Sequence, residues 1–139
     1  MKQNKDRVIY IVDDDPEDRE FLYEAFSHHT QNVQCIMYEN GAKLLSQLST
    51  LKANPPGIIL LDLNMPGITG KQILMELKTN ANLKHIPILI LTTSHLAADK
   101  RIAYELGANC FLTKPSSHLL LLEMAKSILN LWFWNVRSC

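Results

Sequence analysis

Residues Ile58–Gly70 read IILLDLNMPGITG. Ile58, Ile59, Leu60 and Leu61 run straight into one acid, Asp62, and then Asn64, Met65, Pro66 and Gly67 break the run. An unbroken apolar run with Pro-Pro-Gly before it and Pro-Gly after it fits a strand buried on both faces. Such strands belong to parallel sheets covered by helices, and ligands of those sheets sit beyond the strands' carboxyl ends. Asp62 stands at that end. A carboxylate there is costly to bury without a partner, so it calls for a cation or a chemical role.

Working outward, the same punctuation repeats. Val8–Val12 (VIYIV) ends in Asp13, Asp14 and Asp15, and Pro16 follows at a favoured first helical position. Asp15 is placed to cap a helix with Glu17 and Asp18 in its first turn and Phe21, Leu22, Ala25 and Phe26 as its apolar stripe. Val33–Tyr38 reads as a second strand. Asn40 opens a helix with Leu44, Leu45, Leu48 and Leu51 on one face, stopped by Asn54-Pro55-Pro56-Gly57. After the central strand, a short helix from about Gly70 turns Ile73, Leu74 and Leu77 inward. Ile86–Leu91 is a fourth apolar run and ends in Thr92-Thr93-Ser94, with Ser94 better placed than Thr92 to cap the next helix. That helix buries Ile102, Ala103 and Leu106 and meets Gly107, a C′ residue. Cys110–Leu112 is a fifth strand, ended by Thr113-Lys114-Pro115, and a last helix runs from about Ser117 towards Trp134.

Strands alternating with helices imply right-handed crossovers and one parallel sheet with helices on both faces. The fold expected is α/β and flavodoxin-like, a doubly wound five-stranded sheet in the order 2-1-3-4-5. At 139 residues, the chain is expected to form a single domain over 1–139, with an extended aromatic helix or tail from about residue 130. The 14 basic and 14 acidic residues cancel, which gives no global case for nucleic acid or a membrane surface as partner. Three cysteines (Cys35, Cys110, Cys139) without a CxxC pair or a signal peptide point to a reducing, cytoplasmic setting. Glu123 and Lys126 interrupt the C-terminal apolar stretch before it reaches membrane-spanning length.

Four strand ends carry polar groups: Asp13 and Asp14, then Asp62, then Thr92, then Lys114. In a parallel sheet these ends open on one face, so the groups can converge in one cleft. Clustered carboxylates repel one another unless a cation neutralises them, and oxygen-only ligands select a hard ion such as Mg²⁺, or Mn²⁺. Lys114 adds a compact positive charge and Thr92 a hydroxyl. Together they describe a site that stabilises a phosphoryl group, with Asp62 as the candidate nucleophile. Each part alone also has a plainer use: the acids as helix caps, Thr92 as a cap, Lys114 as a solvated lysine, Asn64–Gly67 as a turn. Their combination at four strand ends outweighs those uses.

The acids after the first strand, LLDLNMPGITG, ILTTS and FLTKP together resemble the receiver domain of two-component response regulators, from roughly Arg7 to Leu129. That resemblance implies that Asp62 accepts a phosphoryl group from the phosphohistidine of a sensor histidine kinase or phosphotransfer protein. It implies that Asp13 and Asp14 hold Mg²⁺ with Asp62 and the backbone carbonyl of Asn64. Thr92 would be the switch hydroxyl, Phe111 the switch aromatic and Lys114 the phosphate-binding lysine, with a cis bond between Lys114 and Pro115. Such a protein is a signalling module rather than an enzyme, beyond gaining and losing its own phosphate.

The chain ends soon after the receiver, so output is expected to be protein–protein. From Leu119 to Trp134 the polar residues Glu123, Lys126, Ser127 and Asn130 form one narrow stripe, and the rest is apolar, ending in Trp132-Phe133-Trp134. Those aromatics either fold back over the domain or form an interface. ILTTS, NCFLTKP and the tryptophan-bearing extension resemble small stand-alone receivers encoded with phytochrome-type histidine kinases. That likeness implies a homodimer through the fourth helix, fifth strand and fifth helix, although the usual Leu-Pro ending is replaced by Asn135-Val136-Arg137. Two other readings stay open. One is a Mg²⁺-dependent aspartyl-phosphate phosphatase, which Asn64 disfavours because it cannot donate a catalytic proton as an acid would. The other is a phosphate-independent scaffold acting through the aromatic face. A nucleotide-binding domain is weaker, since neither GxGxxG nor GxxxxGK[ST] occurs.

Overall fold

In the computed structural model, residues 7–30, 32–50 and 55–134 are described. Leu51, Asn54, Asn135, Val136, Arg137 and Cys139 fall outside them. The five strands are β1 (Val8–Val12), β2 (Gln34–Tyr38), β3 (Ile58–Leu61), β4 (Ile88–Thr92) and β5 (Cys110–Thr113). They alternate with α1 (Pro16–His29), α2 (Gly41–Thr50), α3 (Gly70–Thr79), α4 (Ala97–Glu105) and α5 (His118–Leu129), and a π-helical turn, Asn130–Trp134, closes the last helix. All pairings are parallel, in the order β2-β1-β3-β4-β5, as expected from the alternation.

Two apolar layers hold the sheet. On one face, Tyr10, Val12, Ile59, Leu61, Ile88 and Ile90 pack with residues of α2, α3 and α4, including Leu44, Leu48, Ile73, Leu74, Leu77 and Ala103. On the other, Ile9, Ile11, Leu60 and Leu91 meet Leu22, Ala25 and Phe26 of α1 and Ala125, Ile128 and Leu129 of α5. All four residues of β3 are buried because alternate side chains enter opposite layers, which is why its sequence is apolar throughout. Among the described residues, no helix is long and apolar enough to cross a membrane.

Local signals account for the boundaries. The Asp15 side chain accepts from the backbone N–H groups of Glu17 (2.9 Å) and Asp18 (3.4 Å), with Pro16 at the first helical position. Thr69 and Gln72 form a reciprocal capping box at the start of α3, and Ser117 caps α5. Gly107 follows α4 with φ +106°, the left-handed conformation expected after a helix.

Several expectations are corrected. Phe21 lies on the outer side of the α1 stripe, 43% exposed, so only Leu22, Ala25 and Phe26 reach the core. Ile102 and Leu106 are half-buried; Ala103 is the buried residue of α4. Leu96, not Ser94, is the N-cap of α4 and gives no side-chain cap, because the chain takes two more residues to turn into the helix. Ser94 instead accepts from Leu96 N–H (3.2 Å) and donates to Asp99 (2.6 Å).

Candidate functional site

The carboxyl ends of β1, β3, β4 and β5 open on one cleft, and the residues expected from the sequence meet there. Asp13, Asp14 and Asp62 each present a carboxylate oxygen, and these three oxygens lie within 4.8 Å of one another. Asp13 and Asp62 are buried, at 2% and 7% exposure, while Asp14 is open to solvent. The group is oxygen-only, crowded and accessible from one side. That donor chemistry fits a hard divalent cation completed by water.

The Lys114 ammonium is the counter-charge. It lies 2.8 Å from Asp13 Oδ2, 2.8 Å from Asp18 Oδ2 and 3.3 Å from Asp62 Oδ2. Burial pulls the lysine down, but hydrogen bonds to Asp13 and Asp18 outweigh it and hold the ammonium protonated well above the ordinary range. Burial pushes the Asp13 carboxyl up; the Lys114 hydrogen bond and the Asp15 N–H (3.0 Å) oppose that rise without cancelling it. Further hydrogen bonds add order: the Asn64 backbone N–H donates to Asp62 Oδ1 at 3.1 Å, and Arg19 Nη1 donates to the Asp13 carbonyl at 2.7 Å.

Thr92 is fully buried at the end of β4. Its Oγ1 accepts from Asn64 Nδ2 (3.2 Å) and from Ser94 N–H (3.3 Å). Asn64 therefore touches the site through its backbone N–H to Asp62 and its side-chain amide to Thr92. Beyond Thr92, the loop is tied to α3 through Ser94–Asp99–Lys71, with Lys71 Nζ 2.9 Å from Asp99. Phe111 is half-buried on β5 against the core, and its N–H donates to the Tyr104 hydroxyl of α4 at 3.0 Å.

One expectation fails here: the described residues contain no cis peptide bond, so Lys114–Pro115 is trans. The trans form of an X–Pro bond is favoured by about 0.5–1 kcal/mol, and Lys114 reaches all three acids from it. At the C-terminus the two aromatics with described side chains pack back toward the domain. Phe133 is buried in the α1–α5 layer and Trp132 is half-buried against it, while the Trp134 side chain lies outside the described part of the chain. The exposed apolar residues of that helix are Leu119, Leu120 and Leu131, at 65%, 52% and 61%.

Two residues escaped sequence reasoning. Asp18 looks like an ordinary first-turn acid of a helix, and only the three-dimensional approach of β5 to α1 brings it to Lys114. Tyr104 carries no motif, and its hydroxyl matters only because α4 lies beside β5.

A family model for the response regulator receiver domain matches residues 9–126, and the chain belongs to that family, the receiver domains of two-component response regulators. It is similar to the response regulator Rcp1 of Synechocystis sp., 35% identical over 97% of this chain and 95% of that one. Among solved structures it resembles the phosphorylated cyanobacterial phytochrome response regulator RcpA, with a TM-score of 0.86 at 30% identity over 93% of this chain and 95% of that one. It also resembles the Mn²⁺-bound form of Rcp1, with a TM-score of 0.81 at 35% identity over 91% and 94%.

Proposed function

We propose that this chain relays a phosphoryl group in a phytochrome-type two-component pathway, with Asp62 as the acceptor. The observation that carries this reading is Lys114 bridging Asp13 and Asp62 at the end of the central strand, beside the open Asp14. An Asp62 carboxylate oxygen attacks the phosphorus of a phosphohistidine. The new O–P bond forms as the P–N bond breaks, and the electron pair leaves on the imidazole nitrogen. Asp13, Asp14 and Asp62, with the Asn64 carbonyl, would hold Mg²⁺, which would screen the charge between carboxylate and phosphoryl oxygens. Lys114 adds a positive charge beside Asp62, and the Asn64 N–H orients the Asp62 carboxylate.

The switch would turn on the Thr92 hydroxyl. Its oxygen accepts two hydrogen bonds at rest, and its own O–H would donate to the phosphoryl oxygens of an aspartyl phosphate, the side chain exchanging its resting position for one drawn toward Asp62. The phosphate brings about −1.5 to −2 charges and three acceptors, which makes that exchange favourable. Movement of Thr92 and of the loop tied through Ser94–Asp99–Lys71 would then reach Phe111 and Tyr104 on the α4–β5 face. Output through a homodimer at the α4–β5–α5 face is supported by exposed Leu119 and Leu120 at the start of α5.

The test is intact-mass spectrometry after acetyl phosphate, with and without Mg²⁺, using Asp62→Asn as control, with the same samples run by size exclusion. A Mg²⁺-dependent adduct that is absent from the variant supports the acceptor, and a coincident rise in apparent mass supports the dimer. An equal adduct on Asp62→Asn refutes the assignment.

A further inference from the structure

We infer that Asp18 is a positioning residue for Lys114, the carboxylate that keeps the ammonium in the cleft when a divalent cation draws Asp13 and Asp62 to itself. This role rests on the metal-assisted reading above, whose Mg²⁺ requirement the acetyl phosphate experiment checks separately. An ammonium has three donors, and here three carboxylates take them, at 2.8 Å (Asp13), 2.8 Å (Asp18) and 3.3 Å (Asp62). Two of those acids belong to the three-oxygen cluster that suits a cation, and Asp18 does not. A cation there competes for Asp13 and Asp62 and repels Lys114 directly. A lysine on a flexible four-carbon stem would then swing out to water unless something outside the cluster held it.

Asp18 is built to do that. It sits in the first turn of α1, a turn fixed by the Asp15 cap and by Pro16. The adjacent Arg19 ties the same turn to the Asp13 carbonyl at 2.7 Å, so the helix end is braced against the acidic loop. A cavity of about 60 Å³ flanks the Asp18–Lys114 pair, walled by Phe21, Leu22, Leu91, Pro115 and Leu121. An apolar wall on one side lowers the local dielectric and strengthens the pair relative to a fully solvated one. The plainer role, an acid complementing the helix dipole, is filled equally by Glu17, which makes no contact with Lys114 among the ion pairs of the described residues. Glu17 is therefore the natural control.

The experiment is trace acetylation by acetic anhydride, read lysine by lysine by mass spectrometry, on the full chain with and without saturating Mg²⁺. Lys78, whose ammonium is tied to the carbonyls of Lys84 and Ile86 and to Asn109, reports any general loosening of the fold. With Mg²⁺ present, Lys114 should acetylate about fivefold faster in Asp18→Asn than in the unmodified chain, the scale of a partly exposed ion pair. Asp18→Glu should restore most of the protection, Glu17→Gln should behave as the unmodified chain, and Lys78 should be unchanged in all. Equal Lys114 rates in Asp18→Asn and the unmodified chain would overturn the assignment, as would a parallel rise at Lys78. Absence of a phosphate adduct in the separate acetyl phosphate experiment would strike the acceptor reading and leave the Lys114 result standing.

Discussion

Replacing Lys114 by methionine keeps the length of the side chain and removes its charge. Asp13 and Asp62, 2% and 7% exposed, are then left facing one another without a cation. At 2.8–3.3 Å the gross attraction of each ion pair is about 5–6 kcal/mol for an effective dielectric of about 20. Much of that is offset by desolvation, and removing one member of a buried pair costs about 3–5 kcal/mol. Protonation of Asp13 relieves part of the strain, which leaves a loss of about 3 kcal/mol near neutral pH, or about 10 °C in Tm for a domain of this size. Burial already holds the Asp13 carboxyl above its ordinary 3.8. Stability from its protonated form is therefore fullest below 3.8 and is lost as pH rises through the folded value. The Lys114 hydrogen bond is the leading influence against that rise, so without it the folded value climbs and the loss extends toward neutrality. Lys114 itself is raised, so its contribution in the unmodified chain is complete below 10.5 and is lost only above that. Thermal melts at about pH 5 and about pH 7.5 should therefore show the variant regaining more stability in acid than the unmodified chain does, because without Lys114 the Asp13 carboxyl is raised further. Saturating Mg²⁺ should also restore the variant, since the cation replaces the missing charge. A Lys114→Met chain as stable as the parent at neutral pH would refute this electrostatic account. So would a deficit indifferent to both pH and Mg²⁺.

Other consequences rest on the same geometry. Asp14→Ala removes the solvent-facing oxygen of the acidic cluster, so Mg²⁺ titration should show affinity reduced about tenfold or more with Tm nearly unchanged. Gly70→Ala would place a Cβ 2.5 Å from Leu63 Cα and against the Asp62 carbonyl. The helix-propensity gain of about 1 kcal/mol is smaller than that backbone clash, so we expect a net loss of about 2 kcal/mol, seen as a lower midpoint in urea. Gly67→Ala meets no neighbour within 4 Å but sits at φ +77°, so it should cost about 1–2 kcal/mol through conformation alone and leave Asp62 chemistry untouched.

The fold was legible because it depends on local and periodic properties. Ile58–Leu61 had to be a doubly buried strand, Gly107 had to close α4, and Asp15-Pro16 had to start α1. Asp13, Asp14, Asp62, Thr92 and Lys114 were legible as a candidate site for a topological reason. Strand ends of one parallel sheet open on the same face, so residue types at those ends can be added together from the sequence. The rest depends on how elements lie beside one another. Asp18 becomes a partner of Lys114 only because the end of β5 approaches the first turn of α1, 96 residues away in the chain. Phe21 and Phe26 share one helical stripe on paper, but the contact angle of α1 on the sheet buries the second and leaves the first exposed. Trp132 and Phe133 could equally have faced a partner; the π-helical turn after α5 packs Phe133 into the α1–α5 layer and rests Trp132 against it. Sequence alone could name the charged groups at the strand ends. Which acids share one ammonium, and which aromatics the core takes back, are set by distances of a few ångströms between elements that no local pattern encodes.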